Sequence, residues 1–282
     1  MFRYKAEKVW DKTERLDIVF GSTGSNVGIM DFMEEVDRKL REEKENYVED
    51  YESDSDFEDQ EPSISLEVNT VNTSHHIAEE ERSSHFIAIK ISNEDIVKNI
   101  KKVQSKIIEN EEILQDCCMK EGLLHITIAM LRIKGEEGIE EARKLMRTIK
   151  PKLEEVLADK SEAVLNIEKL KTFGHRVVYA EVLPSNSQLF YQLVNIVRES
   201  VENSSDLLNI TNSFDFVPHL TIAKVSRPVA RERRSKYIDT SYYQEFQEER
   251  FGEQVLDNLQ LCVIDSSTRY DGFYNTLAEL KF

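Results

Sequence analysis

Two tetrapeptides in this 282-residue chain have residue types and spacing suited to chemistry: His125-Ile126-Thr127-Ile128 and His219-Leu220-Thr221-Ile222. Each sits in an apolar run that reads as a strand, LLHITIAML at 123–131 and HLTIAKV at 219–225. Residues i and i+2 of a strand point to one face. His125 and Thr127 therefore share a face, with Ile126 and Ile128 turned to the other, and His219 and Thr221 repeat the arrangement. If both pairs face one cleft, two imidazoles meet across a bound group. Histidine takes or gives a proton near neutrality, so one imidazole can act as base and the other as acid at a phosphodiester. The threonine hydroxyls can donate to non-bridging phosphate oxygens, where charge builds in the transition state. This chemistry calls for no metal and no cofactor. One such tetrapeptide is expected in about twenty chains of this length, and two in roughly one of a thousand, so the pair is read together.

The elements that must position these pairs follow from periodicity. HFIAIKI (85–91) reads as a strand, followed by a helix capped at Ser92 or Asn93 with Ile96, Ile100, Val103, Ile107 and Ile108 as its apolar stripe. A helix over about 137–158 carries Ile139, Ala142, Met146, Ile149, Leu153 and Leu157, with Pro151 placed to kink or split it. Strands at 163–171 and 176–183 precede a helix near 186–203 with Leu189, Leu193, Ile196, Val197 and Val201. After the second tetrapeptide, residues 229–250 are charged and predict one or two short helices, and strands near 256–265 and 272–281 follow. The order predicts an α+β fold of two similar halves. No glycine-rich loop joins a strand to a helix, which argues against a dinucleotide or P-loop site.

Charge divides the chain. The formal net charge is −17, and residues 1–84 hold 10 Lys/Arg against 23 Asp/Glu, a net of −13, leaving −4 for the rest. Glu49 to Glu61 contains eight acidic residues and no basic one. Such a run buries too little apolar surface to offset its ordering entropy, so 1–84 reads as a largely disordered acidic region and 85–282 as the folded domain. Ser53 and Ser55 lie in acid-rich context, either as sites for an acid-directed kinase or as parts of a solvated linker. Ile29, Phe32, Met33, Val36 and Leu40 recur at helical spacing, a short amphipathic helix near 29–42. The loop Gly21 to Gly24 has the GxxG form of KH domains but lacks basic residues. An acidic balance argues against a general grip on nucleic acid, though not against a small nucleotide in a local pocket. Cys117, Cys118 and Cys262 offer neither a CxxC spacing nor a disulfide framework. There is no apolar run of membrane-span length and no secretory signal, so no membrane partner is expected, and cytoplasm or nucleus is the expected location.

The paired His-x-Thr strands resemble the two-histidine (2H) phosphoesterase superfamily. Within it, HFIAIKISNEDIVKNI, LLHITIAML, Lys171-Thr172-Phe173-Gly174, FVPHLTIAKV, Glu249-Arg250-Phe251-Gly252-Glu253 and DGFYN resemble the phosphoesterase-like domain of A-kinase anchor protein gamma and delta isoforms. A further likeness is to the phosphoesterase domain of an activating signal cointegrator subunit, which follows a KH domain. The resemblance implies a bilobal, LigT-like fold with two pseudo-symmetric halves around a central cleft. It implies a 5′-mononucleotide such as AMP or CMP as ligand, with His125, Thr127, His219 and Thr221 at the phosphate. It also implies cleavage of 2′,5′-oligoadenylate or of cyclic phosphate RNA ends, or else a non-catalytic AMP/CMP-binding scaffold module. Anchoring members bind the regulatory subunit of protein kinase A through a C-terminal amphipathic helix, whereas AELKF at the end of this sequence reads as a strand. That leaves the 29–40 helix as the one candidate for such a contact.

Other residues are assigned around this centre. Phe86, Phe173, Tyr270, Phe273 and Tyr274 are candidates to stack on a nucleobase, Phe86, Phe173 and Tyr274 foremost, with core packing as the alternative. His85 reads as a surface or strand-end residue, His175 as a turn residue, and His75 and His76 as part of the acidic region. Lys224 falls on the wrong face by strict alternation and enters the site only if a bulge turns it. Arg227, Arg231, Arg233, Arg234 and Lys236 either line the entrance or form a solvated charged helix.

Overall fold

The structure, a computed structural model, describes residues 82–158, 163–212, 217–265 and 267–282. The disordered reading of 1–84, the 29–42 helix, the Gly21–Gly24 loop, Ser53, Ser55, His75 and His76 lie outside them, apart from 82–84. The elements in order are β1 (His85–Lys90), α1 (Glu94–Asn110), β2 (His125–Ile133), α2 (Gly135–Val156), β3 (Val164–Phe173), β4 (Val177–Pro184), α3 (Ser187–Glu202), β5 (Leu208–Ile210), β6 (His219–Lys224), α4 (Arg227–Arg233), β7 (Arg250–Val255), β8 (Asn258–Val263) and β9 (Thr276–Lys281). Short 3₁₀ turns cover Glu112–Cys117, Glu121–Leu123, Thr240–Tyr242 and Gln244–Phe246.

One antiparallel sheet runs β7-β3-β4-β6-β2-β1-β8-β9, with β5 on β2. The seam between β6 and β2, the two His-x-Thr strands, divides it into a half of four strands and a half of four strands plus the short β5. The halves follow the same plan of strand, helix and His-x-Thr strand: β1–α1–β2 in one, β4–α3–β6 in the other. This is the expected α+β architecture of two pseudo-symmetric halves.

The helices cross the seam. Asn93 caps α1, accepting the Asp95 N–H at 2.8 Å, a bond whose loss costs about 1 kcal/mol. Ile96, Ile100, Val103 and Ile107 form its buried stripe. Although α1 follows a strand of the first half, it packs beneath the second. Asn99 Nδ2 donates to the Phe251 carbonyl on β7, and Gln104 Nε2 donates to the Ile222 carbonyl on β6 and the Met119 carbonyl. Gly252 of β7 lies so close to Ile96 that an added Cβ would meet Ile96 Cγ1 at 2.9 Å. Conversely, α3 packs against β2 and β5. A single large core lies between sheet and helices, and a smaller cluster of Phe86, Ala88, Cys262 and Phe273, with Met130 and Tyr274, lies on the opposite face.

Four sequence readings are amended. Pro151 does not split α2, because Ala142, Met146, Ile149 and Leu153 hold both sides of the proline in the core. Two short strands, β5 and β7, escaped the reading. Gln104, not Ile108, occupies the buried face of α1, because two backbone carbonyls need its amide. His85 opens β1, as the strand-end reading has it, but is buried and not at the surface, with Nδ1 2.8 Å from the Ser84 hydroxyl and its pKa lowered chiefly by desolvation.

Gln104 is the polar residue most exposed to test. Gln104→Leu leaves the Met119 carbonyl inside the protein without this donor and is expected to cost about 1–3 kcal/mol in urea-unfolding stability. An unchanged midpoint would show that the amide has no such role.

Candidate functional site

Backbone pairing places the two tetrapeptides. β2 meets β6 at Ile126 opposite Leu220. One step along an antiparallel register either way sets His125 opposite Thr221 and Thr127 opposite His219, with Cβ atoms about 5 Å apart in such pairs. Ile126 and Leu220 are buried in the main core, so His125, Thr127, His219 and Thr221 occupy the other face. The structure brings all four together around a local twofold.

Each strand then bulges at the same place. On β1, Ile87 pairs with Ala129 but Ala88 pairs with Thr127, which leaves Ile128 as the extra residue. On β4, Val178 pairs with Ala223 but Tyr179 pairs with Thr221, which leaves Ile222 extra. Ile128 and Ala129 are both buried, as are Ile222 and Ala223, so alternation changes phase after each tetrapeptide. The carbonyl of Ile222 is taken by the Met119 N–H at 2.8 Å and by Gln104 Nε2 at 3.0 Å. The phase change carries Lys224 onto the histidine face, the one condition under which the sequence admits it. Lys224 is exposed, has no ion pair among the described residues, and depresses the proton affinity of His219.

The imidazoles are held identically. His125 Nδ1 lies 2.7 Å from the Leu123 carbonyl and His219 Nδ1 lies 2.8 Å from the Val217 carbonyl, each two residues back. A carbonyl only accepts, so Nδ1 carries the hydrogen in both rings and each neutral Nε2 keeps a lone pair. Burial lowers the His125 pKa to about 4, opposed by the Leu123 bond and reinforced by His219. Burial also lowers His219, opposed by the Val217 bond and reinforced by Lys224. Yet both side chains keep part of their surface open to solvent. Both imidazoles are thus desolvated on most sides without being fully enclosed. The hydroxyls of Thr127 and Thr221 have no hydrogen-bond partner among the described residues, so both are available to a ligand.

Aromatic rings wall each histidine. Around His125 stand Phe86 at 5.1 Å and Tyr274 at 5.2 Å, themselves edge to face at 4.9 Å. Around His219 stand Phe173 at 5.0 Å and Tyr179 at 5.4 Å, stacked on each other at 4.2 Å. The three foremost aromatic candidates thus all reach the histidines. Phe86 is buried, whereas Phe173 and Tyr274 are half-exposed and can also meet a ligand. Phe273 is fully buried behind Tyr274, and Tyr270 is fully exposed in the 269–272 turn, in contact with neither histidine. Tyr179 was missed, although RVVYAEV puts Val177, Tyr179 and Glu181 on one face; burial pushes its phenol up to about 12. His175 lies in the β3–β4 turn, as read.

Charged groups flank the rings unequally. Lys90 is the register partner of His125 and is paired with Asp271, whereas Glu181 is the register partner of His219 and is paired with Lys171. The basic stretch after β6 resolves as a charged helix. Val229 fixes α4 in the main core, Arg233 grips Glu111 with two 2.6 Å bonds, and Arg227, Arg231, Arg234 and Lys236 are exposed. Among the described residues no three His, Cys, Asp or Glu side chains gather where they could hold a metal ion, and no helix is long and apolar enough to cross a membrane.

Comparison with known proteins agrees with the geometry. The chain is 29% identical over 198 residues to human A-kinase anchor protein 7 isoform gamma, which covers 68% of this chain and 55% of that protein. It thus spans about half the length of that relative. Among solved structures, TT0787 of Thermus thermophilus aligns at 17% identity and a TM-score of 0.47, over 70% of this chain and 97% of that one. Escherichia coli LigT complexed with 3′-AMP aligns at 18% and 0.39, over 71% and 97%. The model of one family, the AKAP7 2′5′ RNA ligase-like domain, matches residues 83–282, which include every element of the described fold. The chain belongs to the AKAP7 2′5′ RNA ligase-like domain family.

Proposed function

We propose that the domain is a phosphodiesterase that cuts a small nucleotide diester or a short RNA end, with His125 and His219 as general base and general acid. The observation that carries this reading is the matched pair of Nδ1–carbonyl bonds, which leaves two Nε2 atoms free on one face. A neutral Nε2 accepts the proton of the attacking hydroxyl or water, and a protonated Nε2 on the other ring donates to the leaving oxygen. Thr127 and Thr221 donate to the non-bridging oxygens, where negative charge develops. Lys224 adds a cation beside His219 for the same phosphate or its neighbour, and Phe173 and Tyr274 offer faces to the bases. The 2′5′ RNA ligase-like family supports a nucleotide diester as the class of substrate.

The anchoring relative supports a second reading, in which the same cleft holds AMP or CMP without turnover and the protein serves as a scaffold. Assays on 2′,5′- and 3′,5′-linked dinucleotides and 2′,3′-cyclic nucleotides in EDTA, beside calorimetric titration with AMP, separate the two. The enzyme reading expects cleavage of at least one class. His125→Ala and His219→Ala are each expected to lower turnover by about 10²–10⁴-fold with thermal unfolding little changed. Full turnover by the double variant would falsify the acid–base assignment. Lys224→Ala is expected to raise KM by about tenfold at nearly constant kcat, as loss of one charge-assisted bond to phosphate; an unchanged KM removes Lys224 from the site.

The pH dependence follows from the two depressed imidazoles. Catalysis needs one ring protonated and the other neutral. In the free protein both bind a proton only below the ordinary 6.5, so the singly protonated pair is most abundant on the acid side. The optimum of kcat/KM is therefore expected below 6.5, and that of kcat higher, because a bound phosphate anion favours the imidazolium. NMR titration should show His125 near 4 and His219 below 6.5. A kcat/KM optimum at or above pH 7 contradicts this account.

A further inference from the structure

We propose that Gly122 and Asp271 are positioning residues for His125: together they fix the Arg269–Gly272 turn, and through it Tyr274, against the imidazole. The inference rests on the proposed acid–base role of His125 and extends the site to residues that touch neither the ring nor a substrate.

Two supports of His125 come from separate parts of the chain. The first is the Leu123 carbonyl, at the end of the 3₁₀ turn Glu121–Leu123. The second is the Tyr274 ring, carried by the β8–β9 connection. Gly122 and Gly272 are where these two parts meet. A Cβ on Gly122 would stand 2.8 Å from the Gly272 carbonyl oxygen and 3.0 Å from its carbon. Both obstacles are backbone, so neither can swing aside, and only glycine permits this approach. Gly272 has φ +75°, the left-handed conformation the turn requires.

The turn is closed and then latched by charge. The Gly272 N–H donates to the Arg269 carbonyl at 2.9 Å, the Arg269 N–H to the Phe273 carbonyl at 2.7 Å, and Thr268 bridges to Tyr274. Asp271 is the latch. Its carboxylate accepts from Lys90 Nζ at 2.8 Å and Arg269 at 2.7 Å, and also from the Phe273 N–H at 3.2 Å. These cations hold the carboxyl well below the usual carboxylate range. Lys90 is the β1 residue in register with His125, so the latch is anchored beside the histidine. Lys90 and Arg269 also approach the Phe273 ring, at 5.1 and 5.7 Å, and Phe273 backs Tyr274 at 5.4 Å. His219 depends on none of this, because its walls, Phe173 and Tyr179, belong to the β3–β4 hairpin. A lesion in the turn therefore acts on one histidine alone.

The test uses the full chain with Asp271→Asn, which keeps the shape and removes the charge, Gly122→Ala, and Ile264→Ala as a control at an exposed site in the same β8–β9 connection. Histidine titrations by ¹H–¹³C NMR are read beside steady-state turnover. In Gly122→Ala, which leaves every charge in place, His125 is expected to titrate higher than in the wild type, towards 6.5, with His219 unmoved; in Asp271→Asn, where the unpaired Lys90 opposes that rise, the NOE between the Tyr274 and His125 rings is expected to be lost. kcat is expected to fall about ten- to a hundredfold, as for a small misplacement of a reacting group, with KM within about twofold. Ile264→Ala should match the wild type in both readouts. If Gly122→Ala does not fold, Asp271→Asn decides. A Tyr274–His125 NOE of wild-type strength in a folded Asp271→Asn protein overturns the proposal, and so does an equal shift of both histidines in Gly122→Ala, which would mark general loosening. If the wild type cleaves no diester, the proposed activity fails while the NMR readouts still decide the positioning role.

Discussion

Ile126 and Leu220 are the one register pair joining β2 to β6, and the relation between the two histidines depends on it. A seam that narrow would act as a hinge if each half also kept its own helix. It is stiffened because the helices are exchanged: α1 leaves the first half and lies under β6 and β7, held by Ile96, Asn99 and Gln104, and α3 leaves the second and lies against β2 and β5. Opening the seam would strip both helices from apolar surface, at roughly 1.5–3 kcal/mol for each large side chain exposed. The spacing of the imidazoles is thus set by the core. Under the proposed chemistry this counts directly, since a base and an acid must address the same phosphorus from opposite sides.

Main chain and side chains treat the local twofold differently. The backbone obeys it closely: the same strand-helix-strand plan, the same carbonyl bond to Nδ1, the same one-residue bulge after threonine. The side chains break it. The bulge brings Lys224 forward in one half and Met130 in the other, and the register partners of the histidines are Glu181 and Lys90. A phosphodiester has an attacked side and a leaving side, so under the proposed chemistry the orientation of the bound diester would assign base and acid, and the unequal charges around the pair would favour one orientation over the other.

Much of this is legible in the amino-acid order, for identifiable reasons. Alternation places His125 with Thr127 and His219 with Thr221, because a strand with one face in a core cannot slip by a residue without exposing Ile126 or Leu220. The helices are legible from their 3.6-residue stripes, which Pro151 does not interrupt. The bulges are not, since they follow from partner registers; the doublets Ile128-Ala129 and Ile222-Ala223 are their only trace. β7 escaped because its inward positions include Gln254, whose amide serves Ser92 and the Val255 carbonyl. Gln104 broke the apolar rule on α1 for a similar reason. Tyr179 reaches His219 only through the β3–β4 hairpin, and Asp271 comes near His125 only through its bonds to Lys90, Arg269 and the Phe273 N–H, so neither could be placed from local spacing.

The aromatic walls tie stability to chemistry. Phe86, Tyr274, Phe173 and Tyr179 exclude water from the sides of the imidazoles, which favours the neutral rings. Under the proposed chemistry, a phosphate that enters would bring the counter-charge that lets one imidazole hold a proton, so the acid would form where and when the substrate is bound. The same desolvation has a consequence for the fold. Because both histidines bind protons more weakly in the folded chain than at the ordinary 6.5, acidification below that value favours the unfolded state, in which they protonate freely. The cleft therefore balances two demands: enough burial to keep the resting imidazoles neutral, and enough openness at Nε2 for an anion to reverse that preference.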